Sequence, residues 1–311
     1  MAPSRKASHQ LAPDHLTIRE GIRPLAADDL RAIAAAADYL ENPRFLMRVA
    51  DLVGRPAEAL LKRLPDRAHR AMAKAVDAAM HKALDLAIGS LQGGAHGSPS
   101  LHSAGAAALG GVAGFFGLPG LAVELPLSTA LMLRSIAAIA HSEGADLSDP
   151  GVRLECLTVL ALGGQMPSSV DVEVQGESDT APLDAMDSAY WTARLGLAVA
   201  LRQAASHVAT SGAARLTATD LAKGSSAVVG KLLAKVAARF QIVVSEKSVA
   251  QAVPVAGAVA GAALNAAFAE HFNEVARHHF GLRRLERQCG EAAVRKAYGA
   301  ALVASRAGSP K

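Results

Sequence analysis

The residues best suited to chemistry lie in a short stretch near the C-terminal end of the chain. His271, Glu274 and His278, which follow Glu270, are spaced so that they share one face of a helix. Imidazole and carboxylate groups in such a set bind divalent metals. The spacing does not match HExxH, and a solvated polar face on an otherwise apolar helix bundle explains the pattern equally well. The metal site is therefore one of two interpretations of this stretch.

A second set of polar residues interrupts an apolar segment in the middle of the chain. Glu124, Arg134 and His141 fall on one face of a predicted helix. At 1.5 Å per residue, Glu124 and His141 are about 25 Å apart, so the three cannot act together on one small substrate. We expect each to pair with another helix, Glu124 with an arginine and Arg134 with a carboxylate such as Glu155. Glu124 becomes a candidate functional acid if it lies unpaired in a cleft.

Two uncharged runs, residues 104–123 and 248–269, flank these polar residues in the sequence. The first contains Gly110 and Gly114, and the second contains Gly257, Gly261 and Asn265, each spaced four residues apart. Small residues at this spacing let helix backbones approach closely, and an asparagine among them can hydrogen-bond across to a partner helix. We therefore predict that the segments at residues 104–140 and 248–269 form helices that contact each other at the centre of the fold, with these glycines at close backbone crossings.

Both runs are also long enough to be considered as membrane spans. Their composition weakens that interpretation, because alanine and glycine contribute little to insertion. Pro119 and Gly120 interrupt the first run, and Glu124 and Arg134 follow closely. A charge at the bilayer centre costs about 2.5–3.5 kcal/mol on the insertion scale. The sequence leaves two alternatives open, a buried core and reversible or hairpin-like insertion.

The composition favours helices throughout, with 51% hydrophobic and only 4% aromatic residues. Residues 66–88 form an amphipathic pattern with Arg67, Arg70 and Lys74 on its polar face, which is typical of a solvated surface helix or of one that lies on an anionic membrane. The formal net charge of +4 is too small to indicate nucleic-acid binding. The two cysteines, Cys156 and Cys289, are consistent with a reducing cytoplasm, and the N-terminal residues do not resemble a secretory signal peptide.

Two long segments carry a resemblance to a known family. They read GFFGLPGLAVELPLSTALMLRSIAAIAHSEGADLSDPGVRLECLTVLALGG and RFQIVVSEKSVAQAVPVAGAVAGAALNAAFAEHFNEVARHHFGLRRLE. Both resemble signatures of the EcsC family of bacterial proteins, and weaker likeness extends from about Asp28 onward. The resemblance implies an all-helical bacterial protein from a family named after a gene beside an ABC transporter operon. The family's biochemical activity is largely undefined, so the resemblance supplies no catalytic residues.

The predicted architecture is an all-α multi-helix bundle with the two Gly/Ala-rich segments at its centre. Residues 1–27 are expected to form a disordered tail and residues 28–305 the helical domain, with a polar loop at residues 165–182. We expect a non-enzymatic, amphitropic protein on the cytoplasmic face of the inner membrane, supporting transport or envelope processes. Its expected partners are an anionic membrane surface, a transporter or other membrane protein, or a second copy, and neither nucleic acid nor a cofactor is expected. The alternatives are a hydrolase or metal-dependent enzyme using residues 271–279, and a soluble oligomeric scaffold.

Overall fold

A computed structural model describes residues 23–42, 66–87, 118–164, 188–211, 227–252 and 257–308. Within these ranges the chain forms a bundle of eight helices and no strands, which confirms the predicted all-α fold. The helices are α1 (Ala27–Glu41), α2 (Asp66–Asp85), α3 (Leu118–Ser142), α4 (Pro150–Leu162), α5 (Ala189–Ser211), α6 (Ala227–Ala252), α7 (Gly257–Cys289) and α8 (Glu291–Gly308).

Helix α4 is the most completely enclosed element, with every residue from Arg153 to Leu162 buried. Its boundaries follow from local chemistry. The Asp149 side chain accepts a hydrogen bond from the Gly151 amide at 2.7 Å, and Pro150 occupies the first turn, where its missing N–H is not needed. The helix ends at Gly163, where a Cβ atom would lie only 2.5 Å from the Phe272 ring. The position therefore excludes side chains because α7 passes so closely.

Helix α7 is the long axis of the bundle. Its 33 residues span about 50 Å and contact α1, α3, α4, α6 and α8. Phe268 and Phe272 on α7 pack edge to face with ring centroids 5.2 Å apart, and Phe240 from α6 completes the cluster. Because so many helices meet on α7, polar residues along it can bring side chains from several elements together.

Helices α3 and α7 do pack against each other, joined by a 2.6 Å hydrogen bond from Ser135 to Asn273. Gly110 and Gly114 lie outside the described residues. Gly257 and Gly261 belong to the first turns of α7, but their surroundings are also outside the description. Close glycine crossings between the two apolar runs therefore stay a prediction.

Helix α2 buries the apolar stripe predicted for it. Met72, Ala75 and Ala79 are buried, and α2 packs against α3 and α6, while Arg67 and Lys74 face outward. The apolar face is thus occupied by the core, so any contact of α2 with a membrane would have to use its cationic side.

Arg23, ahead of α1, contacts both α1 and the C-terminal end of α7. Arg23 forms an ion pair with Asp29 at 2.5 Å and donates to the Gln288 side chain at 2.8 Å. Its backbone amide also bonds the Gln288 carbonyl at 3.2 Å. Arg23 thus ties the residues just ahead of α1 to α7, and the division into a tail at residues 1–27 and a helical domain from residue 28 stays a prediction. Residues 1–22 and the predicted polar loop 165–182 lie outside the described residues.

One described segment, Val123–Ser142 in α3, is long and apolar enough to cross a membrane. Most of its length is nevertheless buried inside the bundle, as in the core helix of many proteins that never enter a membrane. The segment alone is weak support for membrane association.

Candidate functional site

The largest buried polar network joins α4, α5 and α7. It contains the carboxylates Glu155 and Glu286, the guanidinium groups Arg194 and Arg283, and the imidazole of His279. Arg194 Nη1 and Nη2 donate to Glu286 Oε1 and Oε2 at 2.5 and 2.6 Å, in the bidentate geometry that an arginine fork favours. Arg283 bridges both carboxylates, with Nη1 2.9 Å from Glu286 Oε2 and Nε 2.9 Å from Glu155 Oε1.

His279 extends this network into α5. Its Nε2 lies 3.2 Å from Glu155 Oε1, and its Nδ1 lies 2.9 Å from the Tyr190 hydroxyl. A neutral imidazole with the proton on Nε2 donates to Glu155 and accepts from Tyr190, so both ring nitrogens are satisfied. The imidazole is thereby held in one tautomer and orientation.

The phenol ring of Tyr190 stacks on Tyr298, with centroids 5.7 Å apart. Tyr298 donates to Glu41 Oε1 at 3.1 Å. Glu41 also accepts from the Ser188 hydroxyl at 2.5 Å and the Ala189 amide at 2.9 Å, so the last residue of α1 caps the first turn of α5. A carboxylate at a helix N-terminus is favourable because it faces the positive end of the helix dipole. This capping holds α5 and its Arg194 in register with α7.

The network stabilises its own charges. Burial acts to raise the pKa of Glu155, but Arg283 and His279 outweigh it and the pKa is lowered. The pKa of Glu286 is likewise lowered, because Arg194 and Arg283 overcome its burial. Burial acts to lower the pKa of Arg283, yet Glu155 and Glu286 raise it overall. In His279 the burial wins and the pKa is lowered, so the imidazole is neutral at pH 7.

A cavity of about 110 Å³ lies beside the network. Glu155, His279 and Arg283 form its charged wall, and Leu162, Leu197, Ala198 and Leu201 form its apolar wall, with Arg202 and Glu291 also in the lining. The arrangement can bind a small molecule through several hydrogen bonds. It also places a held carboxylate and a held imidazole at the surface of that space.

A second buried charged contact lies near the N-terminal end of α7. Lys247 Nζ of α6 lies 2.6 Å from Glu124 Oε1 of α3, and both side chains are almost fully buried. Asn265 of α7 donates to the same oxygen at 2.8 Å, and the Lys247 ammonium lies 4.6 Å from the centre of the Phe268 ring. Burial lowers the pKa of Lys247 despite the neighbouring carboxylate, so one partner does not fully offset its desolvation.

The predicted metal residues do not converge in this structure. His271 is buried, with Nε2 donating to the Gly163 carbonyl at 2.7 Å and Nδ1 3.2 Å from the Tyr39 hydroxyl. Glu270 and Glu274 both form ion pairs with Arg277, and His278 lies 3.7 Å from Glu274. In the part of the chain that the structure describes, no group of three or more His, Cys, Asp or Glu side chains is arranged to hold a metal ion.

Of the three polar residues predicted on α3, only Glu124 enters a buried site. Its partner is Lys247 rather than the arginine that we expected. Arg134 and His141 are exposed on the outer side of α3, and Glu155 pairs with Arg283 rather than Arg134. Asn265 fulfils the expectation of an amide that bonds across to another helix.

The sequence interpretation missed the members of the polar network, although it contains a signal for them. Arg153 and Glu155 are the charged residues of the otherwise uncharged helix α4, and a charge on such a helix must find a partner. His279, Arg283 and Glu286 repeat at helical spacing on α7. His279 is adjacent to His278 in sequence but lies in the core, where it contacts Tyr190 and Glu155.

Comparison with known proteins identifies a family to which most of the chain is similar. The profile described as the EcsC protein family matches residues 28–285. None of the curated proteins and none of the solved structures matches this chain significantly.

Proposed function

This chain belongs to the EcsC protein family, and we propose that it is a non-enzymatic, amphitropic protein that docks on the cytoplasmic face of the bacterial inner membrane. In that position it would support transport or envelope processes. The observation that carries the proposal is the Glu124–Lys247 contact, because it brings together the described ends of both uncharged runs.

Glu124 directly follows the run at residues 104–123, and Lys247 directly precedes the run at residues 248–269. These two side chains are 2.6 Å apart. Asn265, within the second run, bonds to the same carboxylate. The described ends of the two apolar runs thus lie together at one place, which we name the apolar end: Val123, Glu124, Leu127, Lys247 and Asn265.

Exposed apolar side chains also lie at the apolar end. Val123 is 68% exposed and Leu127 is 43% exposed, one turn apart on α3. Full burial of one such side chain is worth about 1.5–3 kcal/mol, so contact of these two with lipid favours reversible binding rather than permanent insertion.

The position of an exposed cation also supports contact of the apolar end with a membrane. Arg134 is exposed two turns beyond Leu127, on the same side of α3. A cation about 10 Å from an inserted leucine, at 1.5 Å per residue, lies at a suitable depth for anionic headgroups. The net charge of +4 adds a weak attraction to the same surface.

Vesicle flotation tests the proposal. The protein is mixed with vesicles of phosphatidylcholine alone or with phosphatidylglycerol, and we expect it to float with the anionic ones. The double variant Val123→Glu/Leu127→Glu should bind at least about tenfold more weakly, which corresponds to about 1.4 kcal/mol. Val303→Glu is the matched control, because Val303 is 70% exposed but lies on α8. No binding by the wild type, or equal binding by the double variant, would contradict the proposal.

The two alternative functions have simple discriminating tests. A metal-dependent enzyme would retain a metal through purification and lose it on His278→Ala. A soluble oligomeric scaffold would show a defined multimer by light scattering in detergent-free buffer and no binding to vesicles.

A further inference from the structure

The cavity beside the polar network is separate from the apolar end. Asn265 and His279 both lie on α7, and their positions are about 21 Å apart along the helix. The headgroup of a lipid bound at the apolar end therefore does not reach the cavity. The cavity, with its charged wall and its apolar wall, is therefore a candidate site for a different molecule.

The charged wall has hydrogen-bonding capacity left for an occupant. The contacts of Glu155 with His279 and Arg283 both fall on Oε1. A carboxylate has two acceptor oxygens, so Oε2 can accept from a molecule in the cavity. Arg283 contacts the carboxylates through Nε and Nη1, which leaves the protons of Nη2 as further donors. The cavity thus offers an anionic acceptor and a cationic donor on neighbouring helices.

The charges around the cavity are balanced. Glu155 and Glu286 offset Arg194 and Arg283, and Arg202 and Glu291 add one charge of each sign to the lining. An occupant with a net charge would upset this balance in a partly desolvated site. One that carries both signs, with an ammonium near Glu155 and an anionic group near an arginine, preserves it.

The volume of the cavity and its apolar wall further limit the class of molecule that it can bind. An apolar cavity of about 150 Å³ admits benzene, which has six non-hydrogen atoms, so about 110 Å³ accommodates a molecule of about four to six non-hydrogen atoms. The apolar wall of Leu162, Leu197 and Leu201 fits a short aliphatic group.

We propose that this cavity binds a small soluble zwitterion with the size and charge pattern of a free α-amino acid that has a short side chain. The ammonium group donates to Glu155, the carboxylate accepts from Arg283 and Arg202, and the side chain lies against the leucines. No covalent step is involved, and binding does not depend on contact with a membrane.

Thermal unfolding of the full chain with single amino acids tests this site. The probes are glycine and L-alanine, with five and six non-hydrogen atoms, at up to about 10 mM, ten times a Kd of about 1 mM. We expect at least one of them to raise Tm saturably by about 2 °C or more. Propionate and ethylamine, each carrying one of the two charges, should give less than half that shift. No shift with any of the amino acids, or an equal shift with propionate or ethylamine, would overturn the proposal.

Two variants locate the binding. Ala198→Met fills the cavity and keeps every charged group, so it should abolish the shift, whereas Ala209→Met at an exposed position of α5 should keep it. Arg202→Ala changes an exposed lining residue without disturbing the core, and should weaken binding about fivefold or more by calorimetry. Gln203→Ala is its control on the same helix. A shift that survives both Ala198→Met and Arg202→Ala unchanged would place the binding elsewhere and overturn the proposal.

Discussion

Helix α7 contributes to two buried charged sites, Asn265 at the apolar end and His279, Arg283 and Glu286 in the polar network. At the apolar end, Glu124 is the carboxylate partner of Lys247 among the described residues, and the pKa of Lys247 is lowered because burial outweighs that partner. In the polar network, burial also acts to lower the pKa of Arg194, but Tyr190 and Glu286 raise it overall. The single carboxylate does not offset the desolvation of Lys247, whereas the shared partners in the polar network do offset the desolvation of Arg194.

This difference indicates what each site can do. A buried ion pair is weak evidence for stability, because the cost of desolvating both charges can exceed their attraction. Here the pair fixes α3 and α6 next to each other at the apolar end. In the polar network the charged groups compensate one another, and the network borders a cavity. Its remaining donors and acceptors can therefore bind a ligand.

The largest expected effect comes from breaking the Glu124–Lys247 pair. Lys247→Met removes the buried cation that faces the Glu124 carboxylate, although Asn265 still donates to it, and should lower the free energy of unfolding by about 3–5 kcal/mol. The double variant Glu124→Gln/Lys247→Met should recover most of that loss, because no charge remains buried. Urea denaturation measures both. If the double variant is as unstable as the single one, the cost of the unpaired charge is not the reason for the loss.

A smaller effect is expected in the network. Glu286→Gln removes one of two carboxylates, but Arg283 keeps Glu155 and the Arg194 side chain is 13% exposed. We expect a loss of about 2–3 kcal/mol in the same urea experiment, the range for hydrogen bonds to charged groups. A loss larger than that of Lys247→Met would reverse the comparison between the two sites.

The smallest effect is a dependence of stability on pH. The pKa of His279 is lowered by its burial, so the unfolded chain binds a proton near pH 6.5 that the folded chain binds only at lower pH. The stability that His279 contributes is therefore present above about pH 6.5 and is lost as the pH falls through its folded-state pKa. We expect His279→Gln to show a shallower decline between pH 7 and pH 5, measured by urea denaturation at each pH. Parallel curves for the variant and the wild type would contradict this assignment.

The carboxylates add a second loss in acid. Glu155 and Glu286 have lowered pKa values, because their arginine partners outweigh burial, so their stabilisation is complete above about pH 4.5 and declines below it. Because this pH range lies below that of His279, the contribution of the two carboxylates to stability can be measured separately.

The sequence predicted those features that local chemistry decides. The start of α4 at Asp149 and Pro150 is a local feature of this kind, because capping acts within a few residues. The stripe of α2 was predictable because its apolar spacing matches the helical period. The resemblance to the EcsC family was also detectable in the sequence, and the family match over residues 28–285 confirms it.

The partners of the buried charges could not be predicted in this way. Glu124 and Lys247 are separated by more than a hundred residues, as are Glu155 and His279. Their contacts depend on which helices are neighbours, and helical periodicity says only which face each residue occupies. The metal interpretation of residues 271–278 treated one face of α7 as a site, whereas side chains from α1, α4 and α5 decide what each histidine on that helix meets.

Site-specific fluorescence tests the central claim most directly, namely that the apolar end contacts lipid. Both native cysteines are buried, so an environment-sensitive dye can be attached selectively to Val123→Cys or, as a control, to Val303→Cys. On addition of phosphatidylglycerol vesicles, we predict a blue shift and brighter emission at position 123 and no change at position 303. An unchanged spectrum at position 123, or the same change at both positions, would contradict the account.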